Sequence, residues 1–274
     1  MEREMGRGDW HFTTDSEIFR AAAGPLLAAE PARNTAVLTM MDGAELLGWW
    51  TGPDGTVAGV LAASPPPVLT FGAVPVEAAA ALALPDGTEP ATLRGETAAV
   101  EAYAGATGLP WEPVMGIRLF RLGELTPRDP APPGRSRPAR TADLPLLGGW
   151  TADFAAVHRY EPQDDYTDFL TERITEGRLH VWEAPDGRPV AMAGVSRTIE
   201  GQARVHLVYT APDERGQGYA AGVTTTATRA ALGSGATQVL LFTDLANPTS
   251  NALYQRLGYR PVADHLGVRF TPRP

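Results

Sequence analysis

At 274 residues the chain exceeds the roughly 100–200 residues of one ordinary domain, so two domains are expected, each with a core of its own. A 43% hydrophobic, 20% charged composition without cysteine excludes disulfide scaffolds, thiolate metal sites, a thiolate nucleophile, and disordered or collagen-like chains. The net charge of -9 argues against nucleic acid, whose phosphates need clustered cations, and favours a cationic small molecule; all 23 basic residues are arginine, which leaves no lysine for Schiff-base chemistry.

No run approaches the roughly 18 apolar residues of a membrane span, and Met1-Glu2-Arg3-Glu4-Met5 has no apolar secretory stretch. No membrane partner and a cytoplasmic location are therefore expected. Along the first half, periodicity predicts a helix over Thr14–Ala29 and strands over Thr35–Met41, Glu45–Trp50, Val57–Ala63 and Val68–Phe71. Helices over Val76–Leu84 and Glu96–Ala104 and a strand over Met115–Leu122 follow. Thr126–Pro138 contains Pro127, Pro130, Pro132, Pro133 and Pro138, the composition of a semi-rigid linker.

An internal repeat supports that division. Trp50-Thr51-Gly52-Pro53-Asp54-Gly55 recurs as Trp182-Glu183-Ala184-Pro185-Asp186-Gly187, and an Ala-Gly-Val strand follows each copy. Pro-Asp-Gly sets a tight turn, so each copy reads as a β-hairpin with tryptophan on its incoming strand. The second half continues with helices Leu144–Val157 and Asp165–Glu176 and strands Leu179–Glu183, Pro189–Thr198 and Ala203–Thr210. A glycine loop, a helix to Leu232, a strand Gln238–Thr243, a helix Pro248–Leu257 and a terminal strand pair, Tyr259–Val262 and Val268–Phe270, complete it. Hairpins followed by one β-α-β crossover predict a mixed sheet of α+β or α/β class.

The chemistry concentrates where strand Arg204–Thr210 meets Arg215-Gly216-Gln217-Gly218-Tyr219-Ala220 and a helix start. The unsatisfied N–H groups of that start and its positive dipole end suit a phosphate, and glycines let a pyrophosphate approach the backbone closely. Downstream, Asn247-Pro248 signals another helix start, and Asn247, Asn251 and Tyr254 fall on one face.

These residues resemble the GCN5-related N-acetyltransferase (GNAT) family. Arg215, Gly218 and Ala220 match its Gln/Arg-x-x-Gly-x-Gly/Ala motif, and Asn251-Ala252-Leu253-Tyr254-Gln255-Arg256-Leu257-Gly258-Tyr259 is similar to its Asn-x-x-Tyr-x-x-x-Gly-Phe/Tyr segment. The resemblance covers about Ala139–Phe270, and the hairpin repeat extends it to a divergent first copy. It implies tandem GNAT-like domains, each a mixed, mostly antiparallel sheet flanked by helices: a degenerate domain over 1–125, a linker over 126–138 and a catalytic domain over 139–274 with the cofactor cleft. In the first copy Gly72-Ala73-Val74-Pro75-Val76-Glu77 replaces the paired glycines, and Glu77 would repel a pyrophosphate.

The resemblance further implies acetyl-CoA as donor, with no metal: pyrophosphate on the amides of Gly216–Ala220, pantetheine beside Val208, Tyr209 and Thr210, an oxyanion-stabilising N–H near Val208, and Tyr254 protonating the leaving thiolate. The acceptor would be a primary amine of a small molecule. His206, expected on one strand face with Arg204, Val208 and Thr210, is the best-placed base, and a water relay to Glu176 or Asp165 is the alternative. His158, His180 and His265 lack metal-ligand spacing. Two rival readings remain: an NADP-binding unit built on Gly216-x-Gly218-x-x-x-Gly222 and Asp244, and a non-catalytic CoA-binding sensor or assembly module. The sequence leaves a homodimer open.

Overall fold

The computed structural model describes residues 8–64, 68–157 and 165–271. Two compact units emerge: Met1–Phe120 with Thr243–Asn247 and Pro261–Pro274, and Arg121–Phe242 with Pro248–Arg260. The division thus differs from the expected 1–125 and 139–274, because the last strand of the chain closes the first unit's sheet.

In chain order the first half forms β1 Asp9–Thr13, α1 Ser16–Ala29, α2 Thr35–Met40, β2 Leu46–Thr51, β3 Val57–Ser64, β4 Val68–Phe71, α3 Val76–Ala80, β5 Thr92–Glu96, α4 Thr97–Thr107 and β6 Trp111–Leu122. The second half repeats the series as β7 Arg135–Pro138, α5 Leu144–Val157, α6 Thr167–Thr175, β8 Leu179–Glu183, β9 Pro189–Val195, β10 Gln202–Thr210, α7 Tyr219–Gly233, β11 Gln238–Asp244, α8 Pro248–Arg256 and β12 Tyr259–Phe270. In the first unit β1 to β4 run antiparallel, β4 pairs parallel with β5, and Thr92–Glu96 of β5 pairs with His265–Arg269 of β12. In the second, β7 to β10 are antiparallel and β10 pairs parallel with β11. Each half is therefore the mixed, mostly antiparallel sheet with helices that the repeat predicts.

The repeated hairpins agree bond for bond. Gly52 N donates to Thr56 O (2.8 Å) and Gly55 N to Gly52 O (2.9 Å), while Ala184 N donates to Arg188 O (2.9 Å) and Gly187 N to Ala184 O (2.9 Å). Asp54 and Asp186 each accept from the backbone N–H two residues on. Gly55 (φ +83) and Gly187 (φ +87) close the turns in the left-handed region.

Three expectations are corrected. Thr35–Met41 is helical rather than a strand: Val37, Leu38 and Met41 are buried on one helical face, and that contact outweighs the β-branched composition. The terminal strand pair is one continuous β12, since Pro261 and Gly267 read as breaks but are tolerated within the strand. The 126–138 segment, expected as a semi-rigid linker, includes a short strand and packed contacts. Trp182 Nε1 donates to Pro133 O (2.8 Å), and β7 is tied down by Arg137, which bonds Asp143 (2.7 Å) and Glu183 (2.5 Å) in a largely buried network. Strands β1 and β5 carry no clear alternation in sequence; in β5, Gly95 is needed because a side chain there would meet Phe71 at 2.7 Å.

One core gathers Leu61, Phe71, Leu93, Tyr103 and Phe270 in the first unit; another gathers Leu147, Trp150, Leu179, Met192 and Tyr209 in the second. The Thr224–Thr226 run, poor in helix propensity, is accommodated because Thr225 Oγ1 donates to Ala221 O (2.8 Å) and Thr226 Oγ1 to Gly222 O (3.3 Å). Since neither Gly55 nor Gly187 has an atom near its would-be Cβ, Gly55→Ala and Gly187→Ala should each cost only the left-handed backbone penalty, about 1–2 kcal/mol, in chemical denaturation.

Candidate functional site

The site is built where β10 leaves its neighbours. The parallel ladder to β11 ends at Val205–Leu241, although β10 continues to Thr210. On its other side, His206 pairs with Gly194 and Tyr209 with Met192, so Leu207 and Val208 both oppose the single residue Ala193. This β-bulge holds Leu207 at φ +52, a strained value for a branched side chain, retained because Leu207 is buried in the core beside Trp150 and Tyr209. Beyond Val205 that edge of β10 has no registered strand partner among the described residues.

The bulge also reverses the face alternation. His206 lies on the ladder face of Met192 and Tyr209, and Thr210 on that of Ala191, so His206 and Thr210 do not share a face as expected. The Thr210 hydroxyl is buried with no hydrogen-bond partner among the described residues, and the Tyr209 hydroxyl donates to Asp153 Oδ2 on α5 (2.9 Å). Neither the bulge nor the Asp153 contact had a signature in the sequence.

After Thr210 the chain makes a short turn, Pro212–Glu214, and Arg215 is extended, its Nε donating to Thr210 O (3.3 Å). Gly216 (φ +80) and Gly218 (φ +89) occupy conformations that a side chain would strain, and Gly218 is the N-cap of α7. That cap supplies no side-chain acceptor, so the first amides of α7, from Tyr219 and Ala220 onward, face solvent or a ligand rather than a capping group. Arg215, Gly216 and Gln217 are exposed, whereas the Tyr219 side chain is buried. The structure brings together Val208, Tyr209, Thr210, Arg215, Gly216, Gln217, Gly218, Tyr219 and Ala220 as one continuous strand-to-helix path.

Of the two other expected residues, Asn247 is set apart and Tyr254 lies on α8 as expected. Asn247 groups with the first unit, its N–H donating to Asp244 O (3.1 Å), so within the second unit the polar stripe is reduced to Asn251 and Tyr254 on α8. Tyr254 is buried edge-on to Tyr259 (centroids 6.2 Å apart), whose hydroxyl meets Thr228 Oγ1 at 2.7 Å. Burial, and secondarily Tyr259, push the Tyr254 phenol well above the ordinary tyrosine range, so it holds its proton at every physiological pH.

His206 has little affinity for a proton. Burial, then the charges of Arg173, Arg204 and Arg178, push its pKa down to about 3 from 6.5. Its ring lies over Gly194, where a Cβ would stand 2.8 Å away. Glu176, held by Arg197 and Arg178, is pushed down to about 2, and hydrogen bonds from Thr167 lower Asp165. None of the three is poised to take a proton from an ammonium. His180 and His265 are buried and pushed down mainly by desolvation, and His158 lies outside the described residues. No three His, Asp or Glu side chains among the described residues converge as a metal site, and no described helix is long and apolar enough to cross a membrane.

The first unit lacks this arrangement. Strand β4 pairs with β3 without a bulge, the Ala73 N–H is taken by the buried Asn34 Oδ1 (2.8 Å), and α3 spans only five residues with Glu77 in its first turn. Gly72 is required there, since a Cβ would strike Asn34 Oδ1 at 2.3 Å.

Residues 147–259 match the profile of the Acetyltransferase (GNAT) family. That segment is a GNAT acetyltransferase domain, and the protein is an acyltransferase. Its fold resembles a GCN5-related N-acetyltransferase from Sphaerobacter thermophilus (16% identity, 97% of this chain and 96% of that one, TM-score 0.65). It also resembles a GNAT-family acetyltransferase from Colwellia psychrerythraea (14%, 96% and 98%, 0.54) and a GCN5-related N-acetyltransferase from Kribbella flavida (19%, 79% and 88%, 0.54). No curated protein sequence matches the chain.

Because folded His206 stays neutral while the unfolded imidazole protonates below about pH 6.5, the native state loses stability as pH falls from that value toward 3. In thermal unfolding between pH 7 and 5, His206→Gln should flatten this acid limb by about 1 kcal/mol, the ring's residual accessibility limiting the effect.

Proposed function

We propose that the chain is an acetyl-CoA-dependent N-acetyltransferase that moves an acetyl group directly to a primary amine of a small cationic molecule. The observation that carries this reading is the continuous path from the Leu207–Val208 bulge to the uncapped start of α7. Its amides and paired glycines fit a diphosphate, and the open edge of Val208–Thr210 fits an amide-bearing arm laid along it as an extra strand. The buried Thr210 hydroxyl, without a partner among the described residues, is a further polar group in search of an acceptor or donor.

Acetyl-CoA supplies an activated acyl thioester. The chain's own groups do the rest: the amides of Gly216–Ala220 bind, β10 orients, and the N–H of Val208 is the group assigned to the negative charge developing on the carbonyl oxygen. As the amine nitrogen bonds to the acyl carbon and the carbon–sulfur bond breaks, the departing sulfur takes a proton from the Tyr254 hydroxyl, and the proton shed by the acylated nitrogen returns through solvent to the Tyr254 oxygen. With His206, Glu176 and Asp165 all poor bases, the ammonium loses its proton to solvent and the amine reacts as its neutral fraction. The net charge of -9 favours a cationic acceptor.

Calorimetry with acetyl-CoA and with NADP, followed by thiol release over an amine panel, tests the assignment; NADP binding without CoA binding would overturn it, and CoA binding without turnover on any amine would favour the sensor. Tyr254→Phe should lower kcat by about a hundredfold and leave donor affinity unchanged. With solvent as base, log kcat/KM should rise with unit slope up to the acceptor's own ammonium pKa, and an inflection near pH 6–7 would reinstate a histidine.

A further inference from the structure

The segment expected to be a linker crosses the mouth of α7. Thr126 N donates to Leu257 O (3.0 Å), Arg128 Nη1 donates to Gln217 O (3.1 Å), and Pro132 packs where a Cβ on Gly222 would lie 2.8 Å from its Cγ. The Trp182–Pro133 bond then anchors the far end. Arg128 is thus carried by a segment fastened on both sides, and its guanidinium fills the space over Gly218 so closely that a Cβ there would stand 1.6 Å from Nη1.

Apart from the Gln217 carbonyl that it bonds, the Arg128 guanidinium has a positive surround. The start of α7 is the positive end of its dipole, with unsatisfied N–H groups and no capping acceptor, and Arg215 adds a second guanidinium in the same loop. Among the described residues no carboxylate pairs with Arg128, while the nearby Glu214 is engaged by Arg188 (3.1 Å). A cation set beside a positive helix end becomes favourable when an anion lies between them.

We infer that Arg128 is a donor-binding residue: its guanidinium closes over the diphosphate of the acyl donor, on the opposite side from the α7 amides. The inference rests on the donor reading above and extends it, since Arg128 lies outside both sequence motifs and outside residues 147–259. It assigns the proline-rich segment a role in holding the donor. Exposed and solvated in the free protein, Arg128 is available to such a ligand without first breaking an ion pair.

The test is calorimetric titration of the full chain with CoA and with 3′-dephospho-CoA at two salt concentrations, using wild type, Arg128→Gln and Arg128→Lys. Gln keeps a donor for the Gln217 carbonyl but loses the charge. The expected result is that R128Q weakens both ligands about tenfold with a shallower salt dependence and an unchanged melting temperature, and that R128K recovers most of the affinity. R128Q binding CoA as tightly as wild type would overturn the inference by reducing Arg128 to a tie on the loop. A loss confined to CoA would also overturn it, by moving the contact to the 3′-phosphate. Failure of the wild-type protein to bind either ligand would instead bring down the donor reading itself.

Discussion

The site depends on one irregularity: two residues of β10 facing one of β9. That extra residue turns Leu207 into the left-handed region and reverses the faces of the strand beyond it, and the ladder with β11 stops at Val205. An unbroken ladder would have consumed the backbone groups that the proposed donor needs. The strain at Leu207 is offset by burying its side chain against the aromatic pair Trp150–Tyr209, whose centroids lie 5.7 Å apart.

The two halves show what happens when this device is present or absent. Both follow the same order of strands and helices, and their hairpins share the same backbone turn hydrogen bonds. In the first, β4 runs straight, Asn34 occupies the Ala73 amide, and the following helix is a single short turn with an acid at its start. The same scaffold is therefore closed by local chemistry. The resemblance to full-length solved structures extends to about the whole chain, so the duplicated layout is itself a property of the fold rather than of this sequence alone.

The electrostatics around the bulge also narrow the chemistry. Arg173, Arg178 and Arg204 surround His206, and Arg178 and Arg197 hold Glu176, which leaves a region rich in fixed ion pairs and poor in proton acceptors. In the proposed mechanism, positioning of the donor and the protonated Tyr254 phenol take the place of a side-chain base.

The sequence by itself determined the glycine loop after β10, the tandem hairpins and the α8 segment with Tyr254, because each follows from local backbone demands: positive φ at glycine, proline at a turn, a cap before a helix. Strand and helix positions were legible wherever burial followed a clean period, and failed at Thr35–Met41, where packing of Val37, Leu38 and Met41 overrode β-branched preference. Tertiary structure alone decided the bulge, the low basicity of His206, the seating of β12 in the first unit's sheet and the packing of Arg128 over Gly218. These arise from contacts between residues far apart in the chain, among them register with a neighbouring strand, cations converging from a helix, a strand and a loop, and a buried surface in need of cover, and no local pattern of residues encodes them.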